Sequence, residues 1–141
     1  MMIKTISPLR GSDSFGSGAW GASRDGGKRK HLGIDYAVAK HSIVLSGVSG
    51  VVTKIGFPYA PSDTKKGHLR YIEITTSDKI AVRYFYVLPS IPVGEVVIPG
   101  DKIGSCQDLE SIYQGMTNHV HLSVIKDGVK INPLECEGLF S

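Results

Sequence analysis

His119 and His121 stand two residues apart in Met116-Thr117-Asn118-His119-Val120-His121-Leu122-Ser123-Val124, a segment whose apolar residues alternate as in a strand. Strand side chains i and i+2 share a face with Cα atoms about 7 Å apart, so the two imidazoles look the same way. Val120, Leu122 and Val124 form the opposite, apolar alternation that suits a core. Two imidazoles on one sheet face can hold a metal ion, and the plainer alternative is a pair of surface histidines. A second cluster weighs against the plainer reading. His31 and Asp35, with Gly33 between them, can turn onto one centre, and an imidazole with a carboxylate suits zinc. The two clusters together supply His31, Asp35 and at least one of His119 and His121. Three protein ligands with an open fourth position is the arrangement of catalytic zinc, whereas four closed ligands make a structural site. Cys106 and Cys136 add no Cys-x-x-Cys pair to either.

These clusters need a scaffold, and the composition predicts which kind. The chain has 141 residues, 17 of them glycine, and its apolar positions are short runs of Val and Ile, which favours a mainly β, antiparallel single domain over residues 1–141, with 1–6 as an N-terminal extension. Strands are expected at residues 43–45, 50–57 and 100–104, with a hairpin of 69–75 and 80–87 turning at Ser77-Asp78. In that hairpin Tyr86 falls opposite about Leu69, or His68 after a one-residue slip. Tyr84 and Tyr86 are expected on one face. Asp127-Gly128 predicts a turn into Val129-Lys130-Ile131, and Leu109, Ile112 and Tyr113 predict a short helix within 106–117. Residues 7–30, anchored by Phe15 and Trp20, read as an ordered loop region leading to His31. Loops 7–30, 58–68 and 105–118 should wall a groove floored by the sheet.

The net charge of +3 is too mild and too scattered to indicate nucleic acid, Lys28-Arg29-Lys30 being the one basic run. No stretch could span a membrane, and the first residues lack the apolar run of a signal peptide, so work outside the producing cell would need lysis, a virion or a longer chain of which this is a truncated part. A monomer is expected. Two cysteines leave a disulfide open.

From about Ser7 to Val124 the residues resemble the lysostaphin/LytM-type zinc metallopeptidases that cut peptide bonds of bacterial peptidoglycan. The likeness runs through Phe15-Gly16, His31-x-Gly33-x-Asp35 followed by Tyr36-Ala37, Gly50-Val51-Val52, Tyr84, Pro99-Gly100-Asp101-Lys102-Ile103-Gly104 and His119-x-His121. It implies one zinc ion bound by His31, Asp35 and His121, with His119 handling protons, and a peptidoglycan peptide as substrate. Tyr84, His68 and Asn118 become candidates for the substrate groove. A phage lysin or virion-borne wall hydrolase fits the missing leader.

The chain departs from that pattern at one position. These peptidases usually carry a further histidine two residues after the position of Tyr84, and here Tyr86 stands there. A phenol, with an unperturbed pKa of about 10, donates to an oxyanion but accepts a proton poorly. Losing a general base typically costs about 10²- to 10⁴-fold. Tyr86 is thus read as the donor to the developing oxyanion. The same substitution marks a branch typified by a leukocyte-derived chemotaxin, which keeps the zinc site and signals, so a zinc-binding module that recognises peptidoglycan or a protein partner is the second expectation. His68 as a substitute imidazole is the third.

Overall fold

Where β-branched residues alternate with polar ones, the chain forms strands, and the pairing of those strands builds both faces on which the rest depends. The structure is a computed structural model that describes residues 19–24 and 29–133. In chain order the strands are β1 (Ser23–Arg24), β2 (Arg29–Lys30), β3 (Ile34–Ala37), β4 (Ile43–Leu45), β5 (Gly50–Gly56) and β6 (Tyr71–Thr75). They continue with β7 (Ala81–Phe85), β8 (Val87–Pro89), β9 (Val96–Val97), β10 (Lys102–Cys106), β11 (His119–Lys126) and β12 (Val129–Ile131). All pairings are antiparallel. A seven-stranded sheet runs β12-β11-β7-β6-β5-β9, with β3 joining β11, and a three-stranded sheet runs β4-β10-β8.

One face of the large sheet is the core. Leu122, Tyr84 and Ile72 are cross-strand partners, as are Val124, Val82 and Ile74, and all six are fully buried. Val44, Val87, Ile103 and Cys106 of the small sheet belong to the same apolar cluster, with half-buried Trp20 packed against it. Burying a Val, Leu, Ile or Phe side chain is worth about 1.5–3 kcal/mol, and this is the face that fixes the register.

The other face carries one cross-strand row through Asp35, His121, Phe85, Tyr71 and Gly56. Gly56 is glycine for a reason visible in that row: a Cβ there would lie 2.5 Å from the Tyr71 ring. Asp127 and Gly128 both have positive φ, 52° and 76°, as a two-residue hairpin loop requires.

Three expectations are corrected. Residues 107–118 form turns and no α-helix: Tyr113 N–H reaches the Leu109 carbonyl at 2.8 Å, one turn is made, and Gly115 at φ 89° ends the excursion. A single turn does not repay helix nucleation. In the hairpin, Thr75 pairs with Ala81 and Tyr71 with Phe85, so Arg70, rather than Leu69 or His68, falls opposite Tyr86. Tyr84 and Tyr86 do not share a face, because the backbone at Tyr86 turns to φ 71° and breaks the alternation. Phe15, Lys28 and Cys136 lie outside the described residues, and Cys106 is a buried free thiol.

Candidate metal centre and active site

β11 places His119 and His121 on the face away from the core, because Val120, Leu122 and Val124 are wholly buried on the other. His121 and Asp35 are direct partners across β11 and β3. His31 precedes β3 and is pinned by its backbone: its N–H donates to the Ala22 carbonyl and its carbonyl accepts from Gly21 N–H, both at 2.8 Å. Gly33 then makes room, since a Cβ there would sit 2.6 Å from Cε1 and Nε2 of His121 and from the Leu122 carbonyl. The glycine of the His31–Asp35 motif is needed for this close approach.

Three donor atoms converge as a result. His121 Nδ1 is 2.7 Å from Asp35 Oδ1, His31 Nε2 is 3.1 Å from the same oxygen, and the two nitrogens are 2.9 Å apart. His31 Nδ1 lies 2.9 Å from the Ala19 carbonyl, which only an Nδ1–H can satisfy, so Nε2 presents its lone pair inward. Burial, helped by His31 and Lys130, outweighs Asp35 and lowers the pKa of His121, favouring the neutral imidazole that ligates metals. Burial opposes ionisation of Asp35, yet its hydrogen bonds with His121 and His31 and the nearby His119 prevail and hold the carboxyl well below the usual range. Two imidazole lone pairs and a carboxylate oxygen, all within 4.8 Å, are a borderline N/O donor set that fits zinc.

His119 stands beside this centre without joining it. Its Nδ1 is 2.7 Å from the Thr117 carbonyl, which leaves Nε2, 3.6 Å from Asp35 Oδ2, as the atom suited to exchange a proton.

Tyr86 reaches the same place through a β-bulge. Its φ is 71°, and both its N–H and that of Val87 point to the Arg70 carbonyl, at 2.7 and 3.3 Å. The extra residue puts Phe85 and Tyr86 on the side of His121 and His119 and returns Val87 to the core. The Tyr86 ring meets His119 edge-on at 5.5 Å. Burial pushes the phenol well above its ordinary pKa, with Tyr59 and Asp35 adding to the effect, so Tyr86 stays protonated.

The remaining sequence candidates lie elsewhere. Tyr84 is fully buried in the core, where its oxygen accepts from Gly47 N–H at 2.9 Å, so it does not line the groove. Asn118 is also buried: Oδ1 accepts from Leu109 N–H at 2.7 Å while Nδ2 donates to the Val38 and Gln107 carbonyls at 2.9 and 3.1 Å. It staples the loop and offers nothing to a substrate. His68 is exposed, and its carbonyl, not its ring, is engaged, by Arg70 at 2.8 Å and Gln107 at 3.0 Å.

Sequence reasoning missed Gln107, whose Oε1 accepts from Arg70 N–H at 2.8 Å and whose own N–H holds the Tyr86 carbonyl at 2.8 Å, locking the bulge. It also missed Phe85 and Tyr71, stacked at 5.0 Å beside His121, whose alternation with Tyr84 and Ile72 was the available signal.

Among known proteins the chain is 28% identical over 119 residues to leukocyte cell-derived chemotaxin-2 of Mus musculus, covering 84% of this chain and 74% of that one. The structure of LytU superposes with a TM-score of 0.68 at 23% identity, covering 89% of this chain and 83% of that one. A mutant catalytic domain of the prophage-encoded M23 protein EnpA from Enterococcus faecalis gives 0.63 at 22% identity, over 91% and 95%. These two likenesses concern the fold. The family model described as peptidase family M23 matches residues 29–133, and with that match the chain belongs to peptidase family M23, whose members are cell-wall peptidoglycan endopeptidases.

Proposed function

We propose that this chain is a zinc-dependent peptidoglycan endopeptidase that hydrolyses peptide cross-links of the bacterial cell wall. The observation that carries it is the convergence of His31 Nε2, Asp35 Oδ1 and His121 Nδ1 within 3.1 Å of one another, with His119 and Tyr86 on the same side. His31, Asp35 and His121 would hold the zinc, which when bound supplies Lewis acidity and activates water near neutral pH. His119 Nε2 takes the proton from the attacking water and passes it to the leaving amine, with Nδ1 anchored on the Thr117 carbonyl. Tyr86 donates its phenolic proton in a hydrogen bond to the oxygen on which charge develops, a contribution of about 10²- to 10³-fold for one well-placed donor. Phe85 and Tyr71 form the floor beside His121. The similarity to EnpA, a prophage-encoded protein, is in keeping with a phage lysin or virion-borne hydrolase.

The second reading is a zinc-binding module with weakened or absent catalysis. It is favoured by Tyr86 in place of a histidine and by the similarity to the chemotaxin. The test is release of new amino groups from purified peptidoglycan by zinc-loaded wild type, His121→Ala and Tyr86→His. Cleavage by wild type but not by His121→Ala establishes the peptidase. A silent wild type whose Tyr86→His variant cleaves establishes the second reading.

A further inference from the structure

Gln107 begins the 107–118 connection and is buried, with both its backbone and its side-chain amide engaged. Its N–H donates to the Tyr86 carbonyl at 2.8 Å, and its carbonyl accepts from Asn118 Nδ2 at 3.1 Å. Its Oε1 accepts from Arg70 N–H at 2.8 Å, and its Nε2 donates to the His68 carbonyl at 3.0 Å. The side-chain amide cannot be turned over, because a backbone N–H only donates and a carbonyl only accepts.

Arg70 closes the circuit. Its carbonyl accepts from Tyr86 N–H at 2.7 Å and from Val87 N–H at 3.3 Å, while its own N–H is held by Gln107. Arg70, Tyr86 and Gln107 lie in separate segments, and each is bonded to the other two. The anchor on the Arg70 side is itself fixed, since Arg70 Nη1 donates to the Gly67, His68 and Leu69 carbonyls at 3.2, 2.8 and 3.2 Å. What this circuit surrounds is Tyr86 at φ 71°, a backbone conformation that residues with a Cβ avoid and keep only where their neighbours over-determine it. That backbone aims the phenol ring edge-on at His119, 5.5 Å away.

We propose that Gln107 is a positioning residue: its side-chain amide ties the 68–70 backbone to the bulge, holds Tyr86 in its strained conformation and so sets the phenol beside His119. The other bonds of the circuit are made by backbone groups, so the Gln107 amide is the part that a substitution removes. The inference rests on the peptidase reading for its catalytic consequence and on the hydrogen bonds alone for the positioning.

The test pairs an activity-independent signal with a kinetic cycle, using the zinc-loaded protein. Gln107→Met keeps the length of the side chain and leaves Arg70 N–H and the His68 carbonyl without it. In NMR spectra, the edge-on Tyr86 ring shifts the ring protons of His119, and Gln107→Met should move them in the same direction as Tyr86→Ala does. In cleavage, Gln107→Met should lower kcat at least about fivefold, the usual worth of one hydrogen bond, with KM unchanged, and should cost nothing further in a Tyr86→Phe background. Gln107→Glu keeps an acceptor for Arg70 N–H and loses the donor to His68; it should show the same changes and serves if Gln107→Met does not fold. His119 resonances that stay put in the Gln107 variant, or a loss of kcat that persists in full without the Tyr86 hydroxyl, would overturn the proposal. If wild type cleaves nothing, the peptidase reading fails by itself, and the His119 resonances still decide whether Gln107 positions Tyr86.

Discussion

His121 and Asp35 face each other directly across β11 and β3, and the same two residues make the shortest contact of the candidate metal centre, 2.7 Å between Nδ1 and Oδ1. The ladder that sets the register therefore also sets the ligand geometry. Asp35→Asn keeps the shape but removes the charge and one lone-pair donor. Zinc affinity, measured by competition with a chromophoric chelator, should fall by more than the 10- to 100-fold typical of changes around a ligand, so by at least about 100-fold.

Gly33→Ala tests the approach of β3 to His121. The new Cβ would lie 2.6 Å from the imidazole and from a backbone oxygen, so the ring or the strand must shift. The variant should lose about 1–3 kcal/mol of stability, as overpacked sites do, and bind zinc more weakly than wild type in the same chelator competition. Unchanged affinity would show that the ring has slack.

Much of this arrangement could be read from residue order, and the parts that could not have physical causes. The alternation from Val120 to Val124 gave the core face of β11, and the Asp127-Gly128 turn gave its hairpin, because both depend on local chemistry. The metal triad needed the His31 and His119 segments to meet, and their spacing in sequence carries no such information; the family resemblance supplied it. Tyr84 and Tyr86 were misplaced because period-two alternation holds only until a bulge interrupts it, and nothing in the side chain of Tyr86 announces a φ of 71°. Gln107 and Asn118 act by bonding distant backbone groups, so their roles exist only once the strands have paired.

Tyr84 gives the fold an alkaline limit. Burial, only partly offset by Gly47 N–H and Ser46, pushes its pKa up to about 12 from 10. The folded value exceeds the unfolded one, so this stabilisation is complete below pH 10 and lost as pH rises through about 12, roughly 2–3 kcal/mol in all. Cys106 acts in the same sense, its thiol also pushed up to about 12 by burial. Urea unfolding across this range should show the fall for wild type and a shallower one for Tyr84→Phe, which at pH 7 already costs about 1–3 kcal/mol through the unpaired Gly47 N–H.

Asn118→Ala removes the staple of the 107–118 loop without touching a metal ligand. Several buried backbone groups lose partners together, so stability should drop by about 2–4 kcal/mol in chemical unfolding. Zinc stoichiometry at low temperature should remain that of wild type.

The central claim is that peptide cleavage depends on one zinc ion held by His31, Asp35 and His121. The measurement that meets it most directly is a back-titration: chelator-stripped protein is supplied with zinc in increments while amino groups released from purified peptidoglycan are counted. Cleavage should rise with zinc and level off at one ion per chain for wild type, and His121→Ala should not cleave at any zinc level. Full cleavage by the stripped protein, or equal cleavage by His121→Ala, would contradict it.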